Sequence, residues 1–453
     1  MLMLAFIDQV HIPEGDFFPV LSLIFFLFAI CHALLSDRFL ALAHRHEIDS
    51  KGLNSGGDFL VSFYSFMGNI TCIFALWLIP IFTYLAYSRG GDFVSASLML
   101  QEPGFNEVFF NFILIAIAMT KPLRLLYASI LHRFGFMFKN HLMFFWLGSF
   151  LLTVLLTGLL SEIVAMTLQC MFLAHFFYNL KLSKSLSYFT LALLLVCAAF
   201  GNTVIPFNLS DIYDFHLEWG WSHWTVFQLF GWKSFISIAI VASLGAFWFR
   251  KEFSFLQATF DKEMEEVSHH PINSRLLFYL GLLIVASLSR SNLYVMFASL
   301  IVVMILHKEH YKTQEEGKLH LTLPLMIAFF TYTIEIYASL QSWWVIPMLE
   351  DVQGSGLFAF SFLLTGMNEH VPISAVKTTL QAAPEMDKFL SYLGMVAGGG
   401  ITLFANSANI LAKKTLSPHF ENQVISPIRQ MLTSIPIALA VSMLILLFTY
   451  ISN

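Results

Sequence analysis

The chain is short of charge. Only 12% of its 453 residues are Asp, Glu, Lys or Arg, about half the share of an ordinary soluble domain. A soluble fold of this length would lack the polar residues to cover its surface, and so apolar a chain is not a disordered one. Cysteine is scarce as well. Cys31, Cys72, Cys170 and Cys197 lie in apolar stretches without CxxC or His-paired spacing, so they read as small apolar side chains and exclude a disulfide scaffold or a zinc site. There is no excess of basic residues. A net charge of −5 and a pI near 6.3 leave no field for nucleic acid. The signatures HExxH, GxGD, DDxxD and GxSxG are all missing, which counts against a membrane-embedded enzyme. The stretch Met1 to Asp16 holds three acids and no Lys or Arg. It lacks the basic start of a cleaved leader, so the apolar run that follows reads as a retained membrane helix.

Apolar sequence takes the place of what is missing. Hydrophobic types make up 57% of the chain and Phe alone contributes 49 residues, with a mean hydropathy of +0.73. The fold class that follows is an all-α polytopic membrane protein. A span needs roughly 20 apolar residues, and segments 17–35, 60–87, 186–205, 224–249, 321–345, 389–412 and 430–450 qualify. Segment 107–120 is short but extendable, and 275–306 is interrupted by Arg290, Ser291 and Asn292, which predicts two short tilted helices. Segments 142–180 and 356–384 are broken by polar residues and fit poorly as single spans. The total is about ten transmembrane helices plus two irregular hairpins.

Lys and Arg orient the spans. Loops 36–58, 121–141, 250–275, 307–320 and 413–429 each carry at least three and read as cytoplasmic. Loop 206–223, with Asp211, Asp214 and Glu218, and loop 346–355, with Glu350 and Asp351, carry none and read as external. Both termini then fall outside. Alternation forces 142–180 to enter and leave on the cytoplasmic side and 356–384 on the outer side, as re-entrant hairpins of opposite orientation.

The two hairpins share a pattern. Leu155-Leu156-Thr157-Gly158, Glu162 and Thr167-Leu168-Gln169 find counterparts in Leu363-Leu364-Thr365-Gly366, Glu369 and Thr379-Leu380-Gln381. Ser187-Tyr188 precedes Phe200-Gly201-Asn202-Thr203 as Ser391-Tyr392 precedes Phe404-Ala405-Asn406-Ser407. The matches argue for a duplicated unit of inverted topology, an architecture of secondary transporters with a site near the bilayer midplane. The organisation expected is residues 1–120 as a scaffold or dimerisation arm, 121–250 as the first repeat, 251–320 as a cytoplasmic loop with linking short helices, and 321–453 as the second repeat.

Irregular backbone is tolerated in a membrane only inside protein or beside a water-filled cavity. Thr157-Gly158 and Thr365-Gly366 stand at the hairpin turns, and Gly398-Gly399-Gly400 loosens the helix before Asn406. Asn202, Thr203, Asn406, Ser407 and Asn409 offer the oxygen ligands that a hard cation such as sodium prefers, or else they glue packed helices. Glu162 and Glu369 are the sharpest candidates, because a carboxylate in a membrane segment is costly and commonly functional. Such a group can hold either a proton or a cation. Lys233 is a counter-charge or a snorkelling side chain, and Glu335 is a third acid or a partner for Lys233. His175 and His370 read as proton relays or as packing residues. The pairs His44/His46 and His269-His270 read as solvated. Trp219 to Trp224 and Trp343-Trp344 read as an interfacial belt.

Phe230-Gly231-Trp232-Lys233, Gln341-Ser342-Trp343-Trp344 and Gly398-Gly399-Gly400 with Asn406-Ser407-Ala408-Asn409 resemble a family of bacterial sodium/proton antiporters. That family is similar to the wider ion-transporter superfamily with two inverted halves. The resemblance runs from about residue 120 onward. It implies an inner-membrane antiporter without cofactor, whose ligands are sodium and protons and whose partners are lipid and a second copy in a homodimer. By matching position it assigns the site to Ser161, Glu162, Asn368 and Glu369 with Asn202, Thr203, Asn406 and Ser407. Ile410-Leu411-Ala412 stands where such sequences often carry Pro and Gly after the Asn-x-x-Asn element. The rival expectation is a sodium-coupled symporter of a small organic or inorganic anion on the same fold. A non-transporting scaffold would leave the membrane acids without a purpose.

Overall fold

The computed structural model describes residues 17–50, 57–91, 102–138, 141–205, 218–266, 274–290, 292–312 and 321–452. Asp211, Asp214, His269, His270 and Ser291 lie outside the described residues. The described residues form helices and connecting turns with no strand. Seven helices are long and apolar enough to cross a membrane, or nine if two bent pairs each make one span.

The first bent pair is α1 (Phe18–Leu34) with α2 (Ser36–Ser50), turned by 50°. Next come α3 (Gly57–Met67) and α4 (Ile70–Arg89). The sequence suggests one span over 60–87, but the chain breaks at Gly68 and Asn69. A Cβ on Gly68 would lie 2.6 Å from the Leu40 side chain, so α2 crosses at this glycine. Asn69 accepts from Lys414 Nζ at 2.6 Å, which anchors the break. The second bent pair is α5 (Glu102–Ala118) with α6 (Lys121–Met137), turned by 68°.

Two hairpins follow, each with a successor helix. In the first, α7 (Leu142–Leu159) and α8 (Glu162–Phe176) meet at Leu160 and Ser161. Ser161 starts α8 because its extended backbone places Oγ to accept from Val164 N. Each arm is long and apolar enough to cross a bilayer. After α9 (Lys184–Gly201), α10 (His223–Val226) leads through a π-helical turn at Phe227–Gly231 into α11 (Trp232–Trp248). Then α12 (Arg250–Glu266), α13 (Ser274–Leu288) and α14 (Leu293–Lys312) connect to α15 (Thr322–Ser339) and α16 (Ser342–Asp351). Helices α13 and α14 divide 275–306 into two, as its polar residues indicate. The second hairpin is α17 (Ser355–Met367) and α18 (His370–Thr379), followed by α19 (Glu385–Gly399), α20 (Ser407–Leu416) and α21 (Pro427–Ser452).

Small residues let these elements approach closely, as membrane packing requires. A Cβ on Gly400 would sit 2.9 Å from Val196 Cα and 3.0 Å from Leu195 O, so the break after α19 lies directly on the backbone of α9. On Gly201 it would sit 2.6 Å from Thr157 Cβ, which seats α9 on the first hairpin. Polar side chains in the arms are silenced locally. Thr157 donates to Thr153 O and Thr365 to Ser361 O, the back-bonding that satisfies a hydroxyl inside a helix. Two tryptophans leave the expected belt. Trp219 and Trp221 are buried, and their indole N–H groups donate to Lys377 O and Glu385 Oε2. Only Trp224 of that group is well exposed.

Gly400→Val places a side chain against backbone that cannot step aside. The expected cost is about 1–3 kcal/mol, seen as a lower thermal midpoint in detergent. Gly281→Ala, where nothing lies within 4 Å of the added carbon, should leave the midpoint unchanged.

Candidate functional site

The site grows from one helix cap. Asn406 ends the irregular stretch after α19, and its Oδ1 accepts from Asn409 N at 2.9 Å to start α20. With the oxygen committed to backbone, the amide nitrogen has one direction left. Nδ2 donates to Glu162 Oε1 at 3.0 Å and to Glu369 Oε2 at 2.9 Å. Asn202, just past the end of α9, donates Nδ2 to the other oxygen, Glu162 Oε2, at 2.8 Å.

Both carboxylates sit at helix N-termini. Glu162 is the first residue of α8 and Glu369 directly precedes α18, positions where the helix dipole favours negative charge. Because one nitrogen bonds both groups, their oxygens lie within about 6 Å of each other. Two full charges at that spacing repel by about 3 kcal/mol at an effective dielectric of about 20. One cation or one proton between them removes the repulsion.

The backbone around the pair is accounted for. Asn409 Nδ2 donates to Gly399 O and Thr402 O, both at 2.7 Å, covering carbonyls that the break frees. Thr402 Oγ1 donates to Gly366 O at 2.7 Å, and Glu369 N donates to Ala405 O at 3.0 Å. The second hairpin tip is thus pinned to the broken helix. Glu162, Asn202, Thr365, Glu369 and Asn406, with Ala199, Ile373, Met395, Val396 and Gly399, line a cavity with about 10 Å³ open to the centre of a water-sized sphere, room for one small occupant.

The other sequence candidates divide. Ser161 caps α8. Asn368 donates to Ile334 O at 2.7 Å and accepts from His370 N, so it shapes the second tip. Thr157, Gly158, Thr365 and Gly366 lie in the last turns of α7 and α17 and pack against the broken helices. The five residues that the sequence offers as sodium ligands do not gather, and Asn409 is taken up by Gly399 O and Thr402 O. Asn202 and Asn406 face the carboxylates, whereas Thr203 Oγ1 donates to Phe200 O and bonds Ser234 Oγ. Ser407 Oγ accepts from Asn111 Nδ2 at 3.2 Å. Lys233 and Glu335 do not pair. The buried ammonium of Lys233 donates to Thr449 Oγ1 at 2.9 Å, held by α21. Glu335 instead lies beside Glu107 and His370.

Sequence reading passed over Glu107, Asn111 and Thr402. For the first two a signal was present, since Glu107 and Asn111 stand four apart and share one face of α5. Thr402 carries no such mark.

A second cavity, about 550 Å³, opens at the N-terminal ends of α9 and α21, lined by Asp37, Lys184, Tyr188, His419, Glu421 and Arg429 among others. Burial pushes the His419 imidazole below its ordinary range. Lys184 and Glu421 pair at 3.0 Å across this opening.

The two functions of Asn406 are separable. Asn406→Ser keeps a cap oxygen and loses the amide donor, so it should hold the wild-type thermal midpoint yet lose stabilisation by added sodium. Asn406→Ala should lose both, with about 1 kcal/mol from the cap alone. Thermal unfolding in detergent with and without sodium distinguishes the two variants.

A family model described as "Putative Na+/H+ antiporter" matches residues 18–448. No curated protein matches the chain.

Proposed function

Since the chain belongs to that sodium/proton antiporter family, we propose that the Glu162/Glu369 pair is the exchange site, where sodium from the cytoplasm and protons from outside take turns. The observation that carries this reading is the shared amide. One Asn406 nitrogen bonds both carboxylates, so the two negative charges are held together with too little positive charge between them. Sodium satisfies the pair through its carboxylate oxygens, which the Asn202 and Asn406 amides hold in place. A proton satisfies it by neutralising one acid. Each ligand removes the need for the other, and that mutual exclusion is the basis of exchange.

In this reading α7–α9 and α17–α20 are the hairpin-bearing parts of the two inverted repeats, and their tips meet at the Glu162/Glu369 pair. Helix α9 runs about 27 Å at 1.5 Å per residue, from the wide polar cavity at its start to Asn202 at its end, and that cavity is the cytoplasmic approach. Alternating access comes from displacement of the hairpin-bearing unit against the remaining helices. Symport of an anion is the less favoured reading, because none of the residues lining the central cavity carries a positive charge.

Reconstituted in liposomes under an imposed pH gradient, the protein should dissipate that gradient when sodium is added. The double variant Glu162→Gln/Glu369→Gln should not. Full activity of the double variant, or no response of the wild type to sodium, overturns the proposal. Acid should also weaken sodium binding, because the proton competes for the same oxygens. The apparent sodium affinity should therefore fall as pH falls, and titrations at several pH values check the sign.

A further inference from the structure

Gly394, Gly398 and Gly399 lie in the last part of α19, and Gly400 directly follows it. Packing accounts for three of the four. A Cβ on Gly394 would run into Phe358 O, one on Gly398 into Phe362 O, and one on Gly400 into the backbone of Val196. Gly399 is different. Outside its own helix, and among the described residues, its Cβ would meet only Ala199 Cβ at 3.5 Å and Thr365 Cγ2 at 4.0 Å, both ordinary contacts. Its backbone is helical and not in the left-handed region. Alanine fits that conformation and is the better helix former. Neither packing nor backbone geometry therefore calls for a glycine at 399.

The central cavity supplies a reason. Ala199, Thr365 and Gly399 are all part of its wall, beside Glu162, Glu369 and Asn406. The space that a methyl group on Gly399 would fill thus belongs to the cavity, which has only about 10 Å³ open to the centre of a water-sized sphere. The wall is not free to retreat. Gly399 O accepts from Asn409 Nδ2 at 2.7 Å, and Gly400 lies on the backbone of α9. Met395 and Val396, one turn earlier on α19, line the same cavity. Gly399 is where that face of the helix carries no side chain.

We propose that Gly399 determines which cation the exchange site accepts: the side chain it lacks leaves room for one unhydrated sodium ion against the carboxylates, and Ala199 opposite closes that room to potassium. The proposal deepens the reading of the Glu162/Glu369 pair as the exchange site and rests on it. A hard cation is held by direct contact with carboxylate oxygens, so it must fit between them and the wall. A larger ion requires the wall to move. A smaller one, lithium, tolerates a wall that comes closer. A proton on a carboxylate oxygen needs almost no room, so the same change of wall leaves protonation of the pair in place.

The test is two single variants and their combination, read by thermal unfolding of the full chain in detergent with sodium, lithium or potassium chloride at equal ionic strength. A bound cation raises the midpoint. Sodium and lithium should raise that of the wild type, and potassium should not. Gly399→Ala should hold or raise the ion-free midpoint and weaken sodium relative to lithium by about tenfold or more, the discrimination that one carbon supplies in a tight pocket. Ala199→Gly should let potassium stabilise the protein. The double variant Ala199→Gly/Gly399→Ala moves the methyl from one wall to the facing one and should restore the sodium preference, a rescue that a merely structural glycine would not give. Exchange in liposomes driven by each ion should follow the same order. Sodium and lithium affinities that stay unchanged or fall together in Gly399→Ala overturn the proposal. So does a lowered ion-free midpoint, which would place the glycine there for packing, or an Ala199→Gly variant that still excludes potassium. Wild-type protein that no cation stabilises instead overturns the exchange-site reading itself, a result seen before any variant is made.

Discussion

One side chain sets the geometry on which the rest depends. Asn406 must satisfy a helix N-terminus that opens inside the bundle, and its carbonyl oxygen does so. An Asn so committed has only its two amide hydrogens left to place. Here they reach Glu162 and Glu369. A backbone requirement thereby fixes the orientation of the amide that joins the two carboxylates.

The same constraint explains why a broken helix is tolerable here. Between Gly399 and Asn406 the chain leaves the helical pattern, and each freed group would be costly in an apolar interior. Asn409 covers two carbonyls, Thr402 ties the break to the Gly366 carbonyl, and Ala405 O receives Glu369 N. Gly400 lets this irregular segment lie on α9. The bonds that make the break stable are thus the bonds that bring the second hairpin to the first. Polar satisfaction and site assembly run through one network.

Much of this could be read in the sequence because the membrane makes polar residues conspicuous. Glu162 and Glu369 stand out as acids in apolar segments, and the breaks at Leu160–Ser161, Asn368 and 400–406 fall where Gly, Ser and Asn interrupt hydrophobic runs. Other details were hidden. Thr203 and Ser407 belong to the same motifs as Asn202 and Asn406, yet they turn to Ser234 and Asn111, since adjacent residues at a helix end point in different directions. Trp219 and Trp221 look like interfacial residues by composition, but they are buried against the N-terminal end of α19 and its neighbour α18 through Glu385 and Lys377.

The sequence by itself determined that the chain belongs in a bilayer and where its helices are interrupted, because apolar run length and helix-breaking residues are local properties. Only the tertiary structure decided which interruptions meet. The bonds that join Asn202 to Glu162, and Asn406 to Glu162 and Glu369, link residues 40, 244 and 37 positions apart. No hydrophobic period encodes such separations. The same holds for Lys233, which binds Thr449 from 216 positions away, and for Glu335, which lies with Glu107 and His370. Local sequence marks where a polar group is costly, and the packing of helix ends determines which partner offsets that cost.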